Sequence, residues 1–172
     1  MNILITGNMG YVGPGVVSHL RSVFPQAFLA GYDMGYFASC LTNAPVLPES
    51  KLNQQYFGDV RTITADVLKG IDVVIHLAAI SNDPMGTRYE DITLDVNYKS
   101  SIRLAQLAKQ AGVKRFVFAS SCSMYGAAED SARTETSSLN PLTAYARSKV
   151  FTEKELEPLA DATFTVTCLR FA

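Results

Sequence analysis

Tyr145 and Lys149 are the residues whose types and spacing suggest acid–base chemistry most directly. They stand four positions apart in the stretch YARSK, so in a helix their side chains share one face. A phenol with a pKa near ~10 is a poor base at neutral pH, and a neighbouring ammonium group favours its ionised form. Lowering that pKa by about 3 units corresponds to roughly 4 kcal/mol. Taken alone, the same pair is typical of a solvated helix face.

Ser121 supplies a hydroxyl group that could act with this pair, 24 residues before Tyr145. It follows the apolar run RFVFAS (115–120), which predicts a buried strand. Open α/β sheets bind ligands at the carboxyl ends of their strands. We therefore expect Ser121 to hydrogen-bond a substrate oxygen during proton transfer, with Ser123 as a second candidate substrate contact.

A glycine-rich stretch, TGNMGYVG, occupies residues 6–13 between the apolar run NILIT (2–6) and a stretch with helical apolar spacing. This is the context that a dinucleotide-binding turn requires. Glycines let backbone N–H groups approach a pyrophosphate at the positive end of the following helix. The alternative is a plain turn between a strand and a helix. The predicted cofactor contacts are Gly7, Gly10, Tyr11, Val12 and Gly13.

Asp33 ends the second apolar run, AFLAGYD, twenty residues beyond Gly13. A carboxylate at this place accepts hydrogen bonds from an adenosine ribose and repels a 2′-phosphate. Although Asp33 alone could be an ordinary surface acid, the order of strand, glycine turn, helix and acid predicts a site for NAD rather than NADP.

Short apolar runs alternate with amphipathic stretches along the whole chain. Strands are predicted at 2–6, 27–32, 54–58, 72–77, 115–120 and 164–169, the third being the weakest. Helices are predicted at 12–24, 96–111 and 140–157, the last two ended by Gly112 and Pro158, with a surface connection at 38–53. Continuous rather than alternating apolar strands favour a parallel sheet covered on both faces. The pattern predicts a doubly wound α/β fold.

The composition is that of one domain with a substantial core. The chain has 172 residues, 48% of them hydrophobic, and a net charge of −1, so neither nucleic acid nor a membrane surface is expected as a partner. The longest apolar run is far shorter than the roughly 20 residues that span a bilayer. Three widely spaced cysteines predict reduced thiols in a cytoplasmic protein. With two histidines besides, no metal site is expected, and His76 is interpreted as a buried, hydrogen-bonded side chain.

Several motifs occur in an order that resembles one family. Besides TGNMGYVG and YARSK they are GDVR (58–61), HLAA (76–79), DVN (95–97) and SSCSMYG (120–126). Together they resemble the extended short-chain dehydrogenase/reductases, which include the NAD-dependent nucleotide-sugar epimerases and dehydratases. The resemblance implies a Rossmann-type doubly wound parallel sheet flanked by helices.

The same resemblance implies further cofactor contacts. Asp59 would contact adenine with Val60 beside it, and Asn97 would be a structural or active-site asparagine. The segment after the fourth strand would lie along the cofactor through Leu77, Ala78 and Ala79. Ser81 begins the stretch SNDP (81–84), which is either a polar turn or a segment facing substrate or pyrophosphate.

For the reaction, the resemblance implies that Tyr145 takes a proton from a sugar hydroxyl while a hydride moves to NAD. Lys149 would hold the nicotinamide ribose, and its charge, with that of the nicotinamide, would favour the phenolate. The 4,6-dehydratases of the family carry an Asp-Glu pair where this chain has Cys122 and Ser123, which disfavours dehydration. Epimerisation is favoured; a sugar reductase or dehydrogenase, or a catalytically silent NAD-binding protein, is the alternative.

Family members continue into a smaller portion that binds the nucleotide sugar, whereas this sequence stops at CLRFA. We therefore expect the substrate-binding portion to be largely missing. Family members often dimerise through a four-helix bundle, and the stretches 96–111 and 142–157 are the candidates for a homodimer here.

Overall fold

A parallel six-stranded sheet forms the centre of the computed structural model, which describes residues 1–37, 47–81, 88–127 and 132–172. The strands are β1 (Asn2–Thr6), β2 (Phe28–Asp33), β3 (Gln54–Phe57), β4 (Val73–His76), β5 (Arg115–Ser121) and β6 (Thr165–Phe171). Their order is β3-β2-β1-β4-β5-β6, and every neighbouring pair is parallel. This is the Rossmann order, which reverses between β1 and β4, and it confirms the predicted fold class.

Helices connect the strands and flank the sheet. They are α1 (Gly13–Val23), α2 (Glu90–Leu94), α3 (Ser100–Gln110) and α4 (Ala144–Leu156), with a π-helical segment at Asp95–Lys99 between α2 and α3. Short 3₁₀ turns lie at Pro48–Lys51, Val60–Thr62, Ala65–Leu68, Cys122–Tyr125 and Glu157–Leu159. None of the helices in the described residues is long and apolar enough to cross a membrane.

Two helix starts differ from the prediction. The helix expected from residue 96 continues a helical stretch that already begins at Glu90, and it ends before Gly112, which has a φ of +82°. The helix expected from residue 140 begins at Ala144, because the Thr143 hydroxyl accepts a hydrogen bond of 3.1 Å from the Ala146 N–H. It ends at Leu156, one residue before the predicted end at Glu157, and Pro158 lies in the 3₁₀ turn that follows.

The two faces of the sheet carry separate hydrophobic clusters. On one face Leu4, Val74 and Phe116 pack with Leu104 and Ala108 of α3. On the other face the cluster comprises Ile3, Ile5, Val17, Ala27, Leu29 and Val73, of which Val17 belongs to α1. Layers of helix on both faces bury β1 and β4 at the centre.

Burial on both faces does not extend to β6. Its residues alternate between exposed and half-buried, with Leu169 41% and Phe171 47% exposed, so the described helices cover one side of this strand. The expectation that every strand is covered on both faces is wrong here. The apolar helix face predicted for residues 12–24 is also narrower than expected, because Val12 and Phe24, which flank α1, are 47% and 42% exposed.

An ion pair joins β6 to α4 beside the carboxyl end of the sheet. The guanidinium of Arg170 donates to the Glu153 carboxylate at 2.6 Å, and these side chains are only 19% and 14% exposed. Arg170 also donates to the Tyr125 hydroxyl at 2.7 Å and to the Glu135 carbonyl at 3.0 Å. One side chain therefore connects β6, α4 and the turn that follows β5.

Replacing Arg170 with alanine is expected to lower the free energy of unfolding by about 3 kcal/mol, because it leaves a largely buried carboxylate unpaired. The measurement is urea unfolding. The double variant Arg170→Leu/Glu153→Leu removes both charges and should recover most of the loss. A single variant within ~0.5 kcal/mol of wild type would show that the pair contributes little.

Candidate cofactor and catalytic site

The glycine-rich loop after β1 requires glycine at two of its three glycine positions. Gly7 has a φ of +74°, and a Cβ there would lie 2.5 Å from the Ala78 nitrogen. A Cβ on Gly13 would lie 2.2 Å from the Asn8 carbonyl oxygen, whereas one on Gly10 would lie 3.3 Å from the Gly7 oxygen. Gly7 therefore lets the loop approach the end of β4, and Gly13 lets α1 begin directly against the loop.

The start of α1 fits an anionic group. Its first turn carries no acidic residue, and Pro14 occupies one of the first helical positions. The free N–H groups of a helix start and the positive end of its dipole favour a phosphate. Of the other loop residues, Tyr11 is fully exposed and Val12 is about half exposed. The loop, the helix start and the two required glycines thus fit the pyrophosphate of a dinucleotide.

Replacing Gly7 with alanine is expected to abolish dinucleotide binding and to lower the free energy of unfolding by at least about 2 kcal/mol, since the new Cβ meets backbone atoms and the residue keeps a positive φ. Titration calorimetry and urea unfolding measure the two effects. Gly15→Ala is the matched control, because a Cβ there has no neighbour within 4 Å in the described residues. Gly7→Ala with wild-type affinity and stability would contradict the role assigned to this glycine.

Asp33 links the glycine loop to the turn after β2. One carboxylate oxygen accepts a hydrogen bond of 3.1 Å from the Met9 N–H, and the other accepts one of 2.8 Å from the Gly35 N–H. The carboxylate is half-buried and lies at the carboxyl end of its strand. Its position is thus fixed by the backbone next to the loop.

Asp59 is already hydrogen-bonded to Arg61, two residues further along the chain. Its carboxylate caps the turn Val60–Thr62 by accepting from the Arg61 N–H at 2.9 Å, and it pairs with the Arg61 guanidinium at 2.6 Å. Hydrogen bonds from Arg61 hold the pKa of the Asp59 carboxyl below its ordinary value. Val60 belongs to the hydrophobic core. A ligand at this position would have to share Asp59 with Arg61 and would meet Val60 through its backbone.

Asn97 holds the segment after β4 against α4. Its buried side chain accepts from the Ile80 N–H at 2.7 Å and donates to the Ile80 carbonyl at 2.9 Å. It also donates to the Ser148 hydroxyl at 3.3 Å. Leu77, Ala78 and Ala79, just before Ile80, are partly buried, and Ala78 lies against Gly7. The segment expected to lie along the cofactor is thereby fixed next to the glycine loop.

His76 is buried, and its two ring nitrogens contact the hydroxyls of Thr6 at 2.6 Å and Ser101 at 2.7 Å. Burial, with the nearby charge of Lys149 as a second cause, lowers its pKa to about 3. The imidazole is therefore neutral at ordinary pH. The interpretation of His76 as a buried, hydrogen-bonded histidine is confirmed.

Lys149 is buried at the carboxyl half of β5, with 3% of its surface exposed. Its ammonium donates to the Ala119 carbonyl at 2.6 Å and lies 4.6 Å from the centre of the Phe118 ring and 5.3 Å from that of Tyr145. Burial lowers the pKa of Lys149 to about 8, against an opposing effect of Glu153. The side chain thus keeps its positive charge at neutral pH and places it beside the Tyr145 ring.

The two serines after β5 stand in different environments. Ser121 ends the strand, and its hydroxyl oxygen accepts a hydrogen bond of 3.2 Å from the Ser123 N–H, capping the turn Cys122–Tyr125. The Ser123 hydroxyl is buried and has no hydrogen-bond partner among the described residues.

Ser81, the third serine named as a candidate substrate contact, is exposed. The rest of the stretch SNDP lies outside the described residues.

The predicted residues follow the strands whose carboxyl ends meet at one edge of the sheet: Gly7 follows β1, Asp33 ends β2, Leu77 follows β4 and Ser121 ends β5. The sequence model of the NAD dependent epimerase/dehydratase family matches residues 3–172. The chain belongs to this family. The family resemblance seen in the sequence is thereby confirmed, and so is NAD as the family's cofactor.

The curated relatives of this chain include both epimerases and dehydratases. The chain is 31% identical over 160 residues to a UDP-glucose 4-epimerase of Lactobacillus helveticus, covering 90% of this chain and 46% of the relative. It is 30% identical over 159 residues to a dTDP-D-glucose 4,6-dehydratase of Mus musculus, covering 88% and 44%. The chain thus spans about half the length of these relatives.

Solved structures show the same fold. The structure of MoeE5 in complex with UDP-glucose and NAD is 29% identical, with a TM-score of 0.83 over 99% of this chain and 54% of that chain. TunA, described as an NAD dependent NDP-hexosamine 5,6-dehydratase, is 28% identical, with the same TM-score and coverage. Residues 1–172 of this family member therefore correspond to about half of each structure.

Apart from Asn97, sequence reasoning missed the residues that hold the site in place. Arg170 and Glu153 were not singled out, and neither were Asn8 and Gln55, whose side chains meet beside the glycine loop. Gly31 is the signal that could have been used, because a glycine inside a strand often marks the close approach of another group.

Proposed function

We propose that this chain is the NAD-binding and catalytic part of an epimerase that acts on a nucleotide sugar. The observation that carries the proposal is the pair Tyr145 and Lys149 next to the end of β5, at the edge of the sheet that also bears the glycine loop. Membership of the epimerase/dehydratase family supports the reaction class. The Cys122-Ser123 sequence supports epimerisation over dehydration, because neither residue replaces a carboxylate acid–base pair.

The chain's own residues would move the proton. When bound, NAD would supply the hydride acceptor for oxidation of a sugar carbon and the hydride donor for reduction of the resulting keto sugar. Tyr145, as phenolate, takes the proton from the hydroxyl on that carbon and gives it back after the sugar has turned. The Lys149 ammonium stabilises the phenolate electrostatically and donates to the nicotinamide ribose hydroxyls. Ser121 donates a hydrogen bond to the same substrate oxygen.

The remaining contacts complete the proposed site. Asp33 would accept from the adenosine ribose and exclude a 2′-phosphate, which favours NAD over NADP. The proposed cofactor contacts are Gly7, Gly10, Tyr11, Val12, Gly13, Asp33, Asp59, Val60, Leu77, Ala78, Ala79, Asn97, Tyr145 and Lys149. Ser81 and Ser123 are proposed substrate contacts, and for Ser123 the turn after β5 would have to open, because its hydroxyl is buried.

We also propose the extent of the domain, its oligomeric state and its cellular location. Residues 1–172 would form one NAD-binding domain, and the nucleotide sugar would need further contacts of the kind that the other half of the relatives supplies. A cytoplasmic location is proposed from the cysteine pattern.

A homodimer through the helical stretch 90–110 and α4 is supported by exposed apolar side chains there, with Ile92 48% and Phe151 39% exposed. Light scattering at twice the monomer mass would support it.

The test of function separates three outcomes in one assay. The protein, extended by a half that supplies the further sugar contacts, is incubated with NAD and UDP-glucose, while chromatography follows inversion of the sugar and absorbance follows reduced nicotinamide. An epimerase produces the inverted sugar without net reduction of NAD. A dehydrogenase accumulates reduced nicotinamide in proportion to product, and a silent binding protein does neither although NAD binds.

A further inference from the structure

Two amide side chains meet across the sheet beside the glycine loop. Asn8 lies in the loop after β1, is fully buried and donates from Nδ2 to the Gln55 Oε1 at 2.7 Å. Gln55, on β3, returns a longer contact of 3.4 Å to the Asn8 Oδ1 and donates to the Tyr56 carbonyl at 2.8 Å. Strand β2 runs between β1 and β3, so this amide pair crosses over it.

Gly31 is the residue of β2 over which the pair crosses. It pairs with Ile5 on one side and with Gln55 on the other. A Cβ on Gly31 would lie 2.5 Å from the Gln55 Oε1 and 2.6 Å from the Asn8 Oδ1. Gly31 is not among the glycines with a positive φ in the described residues. Its backbone therefore does not demand glycine, and the space above it is taken up by the two amides.

The backbone of Asn8 lies between two glycines whose surroundings leave no room for a side chain. It stands directly after Gly7, whose approach to Ala78 tolerates no side chain, and its own carbonyl lies where a Cβ on Gly13 would be. The next N–H, that of Met9, donates to Asp33. The backbone on both sides of Asn8 is therefore held by close packing and by the hydrogen bond to Asp33.

We propose that Asn8, Gly31 and Gln55 act together as a positioning device for the cofactor loop, in which Gln55 sets the affinity for NAD without touching it. The inference rests on the proposed role of the glycine loop in binding the pyrophosphate. A buried amide seeks a hydrogen-bond partner. The Gln55 carbonyl fixes the direction of Asn8, and Asn8 holds the loop in the conformation that binds. An affinity is reduced in proportion to the fraction of molecules in the competent conformation.

Three variants and one control test the proposal in the full chain. Gln55→Ala removes the partner, Gly31→Ala displaces both amides, and the double variant combines the two. Gln54→Ala is the matched control, since Gln54 is the preceding residue of the same strand and is exposed. For each protein, titration calorimetry gives the dissociation constant for NAD, and urea unfolding without nucleotide gives the stability of the fold.

Gln55→Ala is expected to weaken NAD binding about tenfold, a factor equivalent to 1.4 kcal/mol at 25 °C, and Gly31→Ala at least as much. The double variant should bind no more weakly than Gly31→Ala, because both changes act through one contact. Gln54→Ala should bind like wild type.

A folded Gln55→Ala protein with wild-type affinity overturns the inference, even if its stability is lower, because the amide pair would then serve the fold alone. Additive losses in the double variant overturn it as well. Failure of the wild-type chain to bind NAD is a different result, which refutes the proposed function and with it the role of the loop.

Discussion

Replacing Tyr145 with phenylalanine is expected to lower the rate of sugar inversion by about 10²–10⁴-fold, the range for loss of a general acid–base group. The dissociation constant for NAD should change little, because the aromatic ring beside Lys149 stays in place. Steady-state turnover of UDP-glucose by the extended protein and calorimetric titration with NAD measure the two quantities.

Tyr36→Phe is the matched control for this substitution. Tyr36 is 69% exposed, and its ring contact with Phe37 at 5.2 Å survives the change. The control should turn over at the wild-type rate. Turnover by Tyr145→Phe at the same rate would show that another group moves the proton.

Replacing Lys149 with methionine is expected to abolish turnover and to stabilise the fold at neutral pH. Burial lowers the pKa of Lys149 to about 8 in the folded protein, against ~10.4 in an unfolded chain. Below pH 8 the folded protein carries the full penalty of a buried charge, about 3 kcal/mol. Loss of the hydrogen bond to the Ala119 carbonyl offsets about 1 kcal/mol of this, so we expect a net gain near 2 kcal/mol.

The difference in stability between wild type and Lys149→Met is expected to change with pH. Between pH 8 and about 10.4 the unfolded chain binds more protons than the folded one, so the stability of wild type rises relative to the variant. The advantage of Lys149→Met should therefore shrink and reverse as the pH rises through this range. Urea unfolding at pH 7 and pH 10 measures it, with Lys154→Met on the exposed side of the same helix as control. A difference that is the same at both pH values would contradict the burial of a charged lysine.

The strands were predictable because continuous apolar runs separated by turn residues have few other structures available to them. The β1 run was placed at 2–6 and is observed there, and the other runs agree within a few residues. The exposed side of β6 was not predictable. The sequence of that strand is apolar enough for two covered faces, and only the arrangement of helices decides which faces are covered.

The proposed catalytic and cofactor-binding residues were easier to predict from the sequence than the residues that support them. Tyr145, Lys149 and Gly7 belong to short motifs whose spacing has a physical meaning by itself. The contacts of Asn8 with Gln55 and of Glu153 with Arg170 join residues 47 and 17 positions apart. Such contacts depend on strand order and register, which local patterns do not specify.

The most direct test of the NAD site is thermal unfolding of this chain with NAD, with NADP and without nucleotide. NAD at about 100 times its dissociation constant should raise the free energy of unfolding by roughly 2.7 kcal/mol. NADP at the same concentration should have a much smaller effect because of Asp33, and Gly7→Ala should not respond to NAD. A cooperative transition of the wild-type chain that NAD does not shift would contradict the assignment of the glycine loop as a cofactor site.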